Sequence, residues 1–231
     1  AAYTLPITFP RKARFLFMNV ILLFGGQSSE HEISRMSARN VLSRISGHTI
    51  EKIGITRSGE WFFTEASPEE ILDGSWEKHS SNTPAVADLS RKIFLKKEIP
   101  AACDVVFPIL HGKNGEDGTV QGLLEILGIP YVGCGVLASA VCMDKITANQ
   151  VFTANKIGHV AWLGFDTGDY AEKKEELLSA IEKLGFPVFI KPSNAGSSVG
   201  ITRCDQKEQL EPAIQEALQV DDRIVAEKGL K

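Results

Sequence analysis

The segment NVILLF, residues 19–24, is an unbroken apolar run of strand length that ends abruptly in two glycines and the polar stretch GGQSSEHE. After it Ile33, Met36, Val41 and Ile45 recur at helical spacing. A run apolar on every position is a strand covered on both faces, and a glycine turn leading straight into a helix opens an α/β unit. The same grammar returns downstream. DVVFPIL (104–110) is a second buried strand, HGKNGEDG a loop, VQGLLEILG a short helix ended by Gly128, and Pro130 to Cys134 a third strand. A helical stretch over roughly 136–156 leads through Gly158 to the short strand HVAWLGF. This alternation predicts an open sheet with parallel pairing. Between the first two units, HTIEKIGITRSGEWFF offers two short strands around Arg57-Ser58-Gly59, while residues 64–100 read as a polar surface excursion with weak helix at 68–73.

Beyond about residue 140 the pattern changes. AEKKEELLSAIEKLG places Leu177, Leu178, Ile181 and Leu184 on one helical face and stops at Gly185. FPVFIKP is a strand, NAGSSVGI a glycine-serine turn returning into a strand, KEQLEPAIQEAL an amphipathic helix, and DRIVAEKGLK a final strand. The organisation expected is an N-terminal tail or appended stretch over 1–17 ahead of a start at Met18, an α/β unit over 18–140, and a second unit over 141–231.

Lys and Arg number 25 against 29 acids, a formal charge of -4, which argues against a nucleic-acid or anionic-membrane partner. No apolar run approaches the roughly 18 to 20 residues that cross a bilayer. Cys103, Cys134, Cys142 and Cys204 show no Cys-x-x-Cys spacing, which fits a reducing cytoplasm.

Three short motifs mislead. Gly133-x-Gly135-x-x-Ala138 matches a dinucleotide fingerprint, but helix occupies nearly the whole interval in which that motif needs a strand and an acidic residue. Gly196-Ser-Ser198-Val-Gly200 matches a nucleophile elbow, yet a strand follows where the elbow needs a helix. A hairpin turn with exposed amides, suited to an anion, is the better reading. His31-Glu32 lacks the second histidine of a zinc protease helix.

The chemistry concentrates at strand ends. Glu30 sits in the first strand-to-helix turn, where two readings stand: an acid in a first turn capped by Ser28 or Ser29, or an acceptor for an amino-acid ammonium group. His111 opens the loop that carries Glu116 and Asp117, as a solvated loop residue or a partner for a carboxylate. Lys191 closes FPVFIK and Lys145 lies in MDK; each could snorkel to solvent, or the two could form the positive side of a triphosphate cleft beside the turn 194–200.

Taken in order, LLFGGQSSEHEIS, FPILHGKNGEDGTVQGLLEILGIPYVGC, SAVCMDK and FPVFIKPSNAGSSVGIT resemble the successive signatures of D-alanine–D-alanine ligases, and GITRSGEW is similar to the vancomycin-resistance branch that makes D-Ala–D-Lac or D-Ala–D-Ser. The resemblance implies an N-terminal open parallel α/β (pre-ATP-grasp) domain followed by the central part of an ATP-grasp fold, the C-terminal part being absent. It implies that ATP and two D-alanines are substrates, with Mg²⁺ or Mn²⁺ as the metal, ligated by residues past Lys231, and a homodimer. By the same resemblance Glu30 and Ser197 belong to one catalytic network, with Glu30 also holding the ammonium of the first D-alanine and His111 near its carboxylate. Lys145, Lys191, Ser197, Ser198 and Gly200 would contact ATP phosphates, and Glu227, Lys228 and the backbone at Leu230 the adenine. A chain without that C-terminal part is expected not to complete the reaction alone.

Overall fold

The computed structural model describes residues 17–230, so the expectation for residues 1–16 lies outside the described part. Chain order is β1 (Asn19–Gly25), α1 (His31–Leu42), β2 (Thr49–Ile55), β3 (Trp61–Phe63), α2 (Pro68–Asp73), β4 (Thr83–Asp88), β5 (Ile93–Lys96), β6 (Ile99–Pro100), β7 (Val105–Pro108) and α3 (Thr119–Leu127). Then come α4 (Val136–Met143), α5 (Lys145–Ala154), β8 (Trp162–Asp166), α6 (Thr167–Glu182), β9 (Val188–Pro192), β10 (Thr202–Cys204), α7 (Leu210–Leu218) and β11 (Arg223–Lys228).

β1 lies between β2 and β7, parallel to both, and each of its faces feeds a different core. Ile21 and Leu23 pack with Ile53, Val106 and Leu124 of α3, while Leu22 and Phe24 pack with Ala38, Ile71 and Trp76 on the side of α1 and α2. The period of two along an extended chain produces this division.

The parallel expectation is corrected for the rest of this sheet. Its order is β6-β5-β4-β3-β2-β1-β7, and every pair from β2 outward to β6 is antiparallel. Three of those connections, β2 to β3, β4 to β5 and β5 to β6, are short turns, which can only return a strand antiparallel to its neighbour. Residues 64–100 are therefore no loose excursion: they add three strands, and Ile71 and Trp76, both 0% exposed, plug the core. The strand expected at 130–134 reduces to a single parallel bridge between Val106 and Tyr131.

Helix α1 departs from its expected face. Ile33 and Met36 are each 44% exposed, whereas His31, Ser34 and Ala38 point inward. The cause is the tight exit from β1, which sets the helix start against the ends of β1 and β7, where backbone groups need partners. Ser34 Oγ donates to the Ile109 carbonyl and accepts from Gly25 N at 2.8 Å, and His31 Nδ1 lies 2.8 Å from the Gly26 carbonyl.

The helix expected over 136–156 is two helices broken at Asp144, whose extended backbone ends α4 and whose carboxylate caps α5 by accepting from Thr147 N at 2.7 Å. The second sheet, β10-β9-β11-β8, is antiparallel throughout. Val188, Ile190, Ile224 and Ala226 face α6 and α7 in one core, so alternation turns Phe189, Lys191, Val225 and Glu227 to the opposite face, beneath α5.

Gly54 lies against the Trp76 indole, which meets Phe24 edge-on at 4.9 Å. A Cβ there would stand 2.3 Å from Trp76 Cζ3 and 2.8 Å from Phe24 Cζ. Gly54→Ala is expected to destabilise the fold by about 2 kcal/mol through overpacking. Urea unfolding checks this, and a midpoint equal to wild type would contradict the described contact.

Candidate functional site

Glu30 and Ser197, 167 residues apart, meet: Ser197 Oγ donates to Glu30 Oε1 and joins the first α/β unit to the β9–β10 turn. The Glu30 carboxylate lies against two glycines. A Cβ on Gly112 would stand 2.7 Å from its Oε2 and one on Gly196 2.5 Å, so two glycines admit the acid between the loop after β7 and the turn after β9. Glu30 precedes α1 and its own side chain caps nothing. Ser28 does the local work: its Oγ accepts from Glu30 N at 3.1 Å and donates to the His111 carbonyl at 2.7 Å. Around Glu30 opens a cavity of about 180 Å³ lined by Gln27, Ser28, Ser29, Gly112, Lys113, Met143, Val220 and the segment 194–196 with Val199.

Ser197 and Ser198 adopt positive φ, 46° and 59°, and Gly200 follows at 68°. Left-handed backbone at two non-glycine residues costs of order 1 kcal/mol or more each; Lys92, Lys97, Glu98, Asn114 and Lys156 adopt it elsewhere in the chain. The Ser197 and Ser198 amides donate to no acceptor among the described residues.

The two lysines converge with Glu227. Lys191 Nζ is 2.7 Å from Glu227 Oε2, and Asn149 Nδ2 donates to Glu227 Oε1 at 2.9 Å, so both carboxylate oxygens are engaged. Lys145 Nζ donates to the carbonyls of Ala195 at 2.6 Å and Ser193 at 3.3 Å, which ties it to the root of the same turn. Burial, and next the charge of Lys191, pull the Lys145 ammonium below its ordinary pKa. Burial pushes Glu227 up, but the hydrogen bonds from Lys191 and Asn149 and the two lysine charges outweigh it, and its carboxyl ends below the ordinary value of 4.5.

His111 is brought near without lining the Glu30 cavity. Its Nε2 lies 3.1 Å from Ser37 Oγ and its Nδ1 3.6 Å from Glu116 Oε1. Lys228 alternates to the α6 side of β11, so only its backbone lies beside Glu227, and the Leu230 side chain is 82% exposed. Among the described residues no group of three His, Cys, Asp or Glu side chains is placed to hold a metal ion.

Residues 19–134 match the family model "D-ala D-ala ligase N-terminus" and residues 151–231 the model "D-ala D-ala ligase C-terminus". The chain belongs to the D-alanine–D-alanine ligase family. Among curated D-alanine–D-alanine ligases, that of Clostridium acetobutylicum is 44% identical over 214 residues, covering 91% of this chain and 60% of the relative. That of Clostridium novyi is 44% identical over 215 residues with the same coverage of both chains. The chain thus spans about 60% of the length of these relatives. Among solved structures, the VanG D-Ala:D-Ser ligase from Enterococcus faecalis superposes with TM-score 0.85 at 39% identity, over 94% of this chain and 64% of that one. The D-alanine–D-alanine ligase from Coxiella burnetii gives TM-score 0.83 at 32% identity, over 93% of this chain and 64% of that one.

Several residues of this ligase-family site escape sequence reading. Asn149 carries one signal, its i+4 spacing from Lys145, which sets both on one helical face. Gly196 carries none, since what demands glycine there is a side chain from another segment, and at Gly112 the Glu30 carboxylate adds to a left-handed backbone, φ 69°, that favours glycine by itself. Arg223, which pairs with Asp144 and so steadies the start of α5, is likewise visible only in three dimensions.

Glu227 provides a pH test. Its folded-state pKa is depressed, so its contribution to stability is present above the unfolded value near 4.5 and is lost as pH falls through the folded one. In Lys191→Ala the opposing burial remains, and Glu227 is expected to titrate higher than in wild type, with acid unfolding starting at higher pH. Carboxyl NMR titration of Glu227 checks the shift; an unchanged value would show that the ion pair does not hold in solution.

Proposed function

We propose that this chain builds the first-substrate pocket and the lysine side of the nucleotide cleft in an ADP-forming D-alanine–D-alanine ligase of bacterial peptidoglycan synthesis. On this reading residues 18–140 form the substrate unit and 141–231 the central ATP-grasp part. The observation that carries it is that Glu30 and Lys145 both bond the turn after β9, through Ser197 and the Ala195 carbonyl, with Lys191 and Glu227 beside Lys145. Two ammonium groups close enough to depress one of them fit a polyanion, which relieves their repulsion, and two unpartnered amides nearby fit its oxygens.

In the reaction proposed, the carboxylate of one D-alanine attacks the γ-phosphorus of ATP, releasing ADP and forming an acyl phosphate. The amine of the second D-alanine adds to that carbonyl, and the tetrahedral adduct expels inorganic phosphate to leave the peptide bond. Glu30 accepts from the first ammonium, Ser197 orients Glu30, His111 lies by the first substrate's carboxyl group, and Lys145 and Lys191 offset charge on the transferring phosphoryl group. Ser198 and Gly200 line the phosphates, and Glu227 with the backbone of Lys228 and Leu230 receives the base. Magnesium, or manganese in its place, would shield phosphate charge; the roles given to these side chains stand without it. ATP supply and four free cysteines support a cytoplasmic site of action. D-alanine as both substrates is favoured by the 44% identity to ligases of that name.

Lys191→Ala is expected to weaken ATP binding by about tenfold or more, the range of one charge-assisted contact. Glu30→Gln is expected to weaken D-alanine binding by about tenfold while ATP changes less than about twofold. Calorimetric titration of each ligand checks both, and equal losses of the two ligands in Glu30→Gln would remove the pocket assignment.

A further inference from the structure

We infer that His31 is a positioning residue for Glu30, braced from outside by Glu77; this rests on Glu30 being the first-substrate anchor. His31 follows Glu30 directly and is 1% exposed. Its Nδ1 lies 2.8 Å from the Gly26 carbonyl, which can only accept, so Nδ1 carries a proton and donates back across the turn. Its Nε2 faces Glu77 Oε1 at 3.5 Å. Nδ1 is therefore tied to the turn, while Nε2 points at the Glu77 carboxylate and can donate to it only when the ring carries a second proton; the ring also fills the space below β1, where a Cβ on Gly25 would stand 3.3 Å from its Cε1.

Gly26 is one end of the turn and Glu30 the other, so the imidazole acts as a strut across it. An apolar side chain would fill the same space without the cost of desolvating two ring nitrogens. What the imidazole adds is a fixed span between the Gly26 carbonyl and the start of α1, and with it the direction in which Glu30 leaves the backbone. Glu77 comes from the short helical turn Ser75–Lys78 and does not line the Glu30 cavity. Substrate affinity thereby depends on a segment that touches no substrate.

The test uses His31→Leu, His31→Asn and Glu77→Ala, because the Asn amide nitrogen can replace Nδ1 but cannot reach Glu77. D-alanine and ATP affinities are measured by titration, with thermal unfolding and amide exchange at Ser29 and Glu30. His31→Leu is expected to weaken D-alanine by about tenfold and Glu77→Ala by about threefold, since small misplacements of a binding group are costly. His31→Asn is expected to recover most of the loss, ATP affinity is expected to hold in all three, and Glu30 exchange is expected to quicken in step with D-alanine loss. If His31→Leu does not fold, His31→Asn against Glu77→Ala carries the comparison. D-alanine affinity equal to wild type in every variant, or ATP and D-alanine falling together with melting temperature, would overturn the positioning role. A wild-type protein that binds ATP but no D-alanine would instead overturn the reading of the pocket, and this inference with it.

Discussion

One contact organises the molecule: the Ser197 hydroxyl on the Glu30 carboxylate, held where two glycines leave space for it. Each partner is anchored in its own sheet, Glu30 through the turn after β1 and Ser197 through the hairpin after β9. A carboxylate accepting from a hydroxyl is directional in a way that apolar packing is not, so the contact sets register between the two halves at one point. The cavity around Glu30 exists because that point is fixed while the surrounding surfaces stay apart.

The second sheet separates structure from chemistry by strand alternation. Its α6 and α7 side is sealed by Val188, Ile190, Ile224 and Ala226, and its other side presents Lys191 and Glu227 to Lys145 and Asn149 of α5. Asp144 links the two tasks, since it ends α4, caps α5 and pairs with Arg223 of β11. Lys145 is thus aimed by the same residue that breaks the helix, and its lowered pKa follows from being placed half-buried beside another cation.

Much of this was legible beforehand. β1, β7, β9 and β11 announce themselves as apolar runs, α3 and α6 by glycine stops, and Glu30, Lys191 and Ser197 by position at strand ends and turns, whereas Lys145 reads as a lysine inside one long helix. The strands between residues 83 and 100 were hidden because only Thr83 and Phe94 are buried along them, too sparse for a period of two to register. The inner face of α1 was misread because its buried residues are His31 and Ser34, chosen for backbone acceptors rather than for hydrophobicity. The break at Asp144 was invisible because its partner Arg223 lies 79 residues away and both flanking stretches favour helix.

The mixed sheet also carries a consequence for how the chain reaches its native state. The β3 to β6 meander joins neighbours in sequence, so little chain entropy opposes its closure and it can form early. β1 must instead find β7 across a separation of 85 residues, as the Asn19 contact to Asp104 records. The turn bearing Glu30 and the loop bearing Gly112 come together only when that distant pairing is made. The cavity around Glu30 therefore depends on a long-range strand pairing, while the meander depends only on contacts between sequence neighbours.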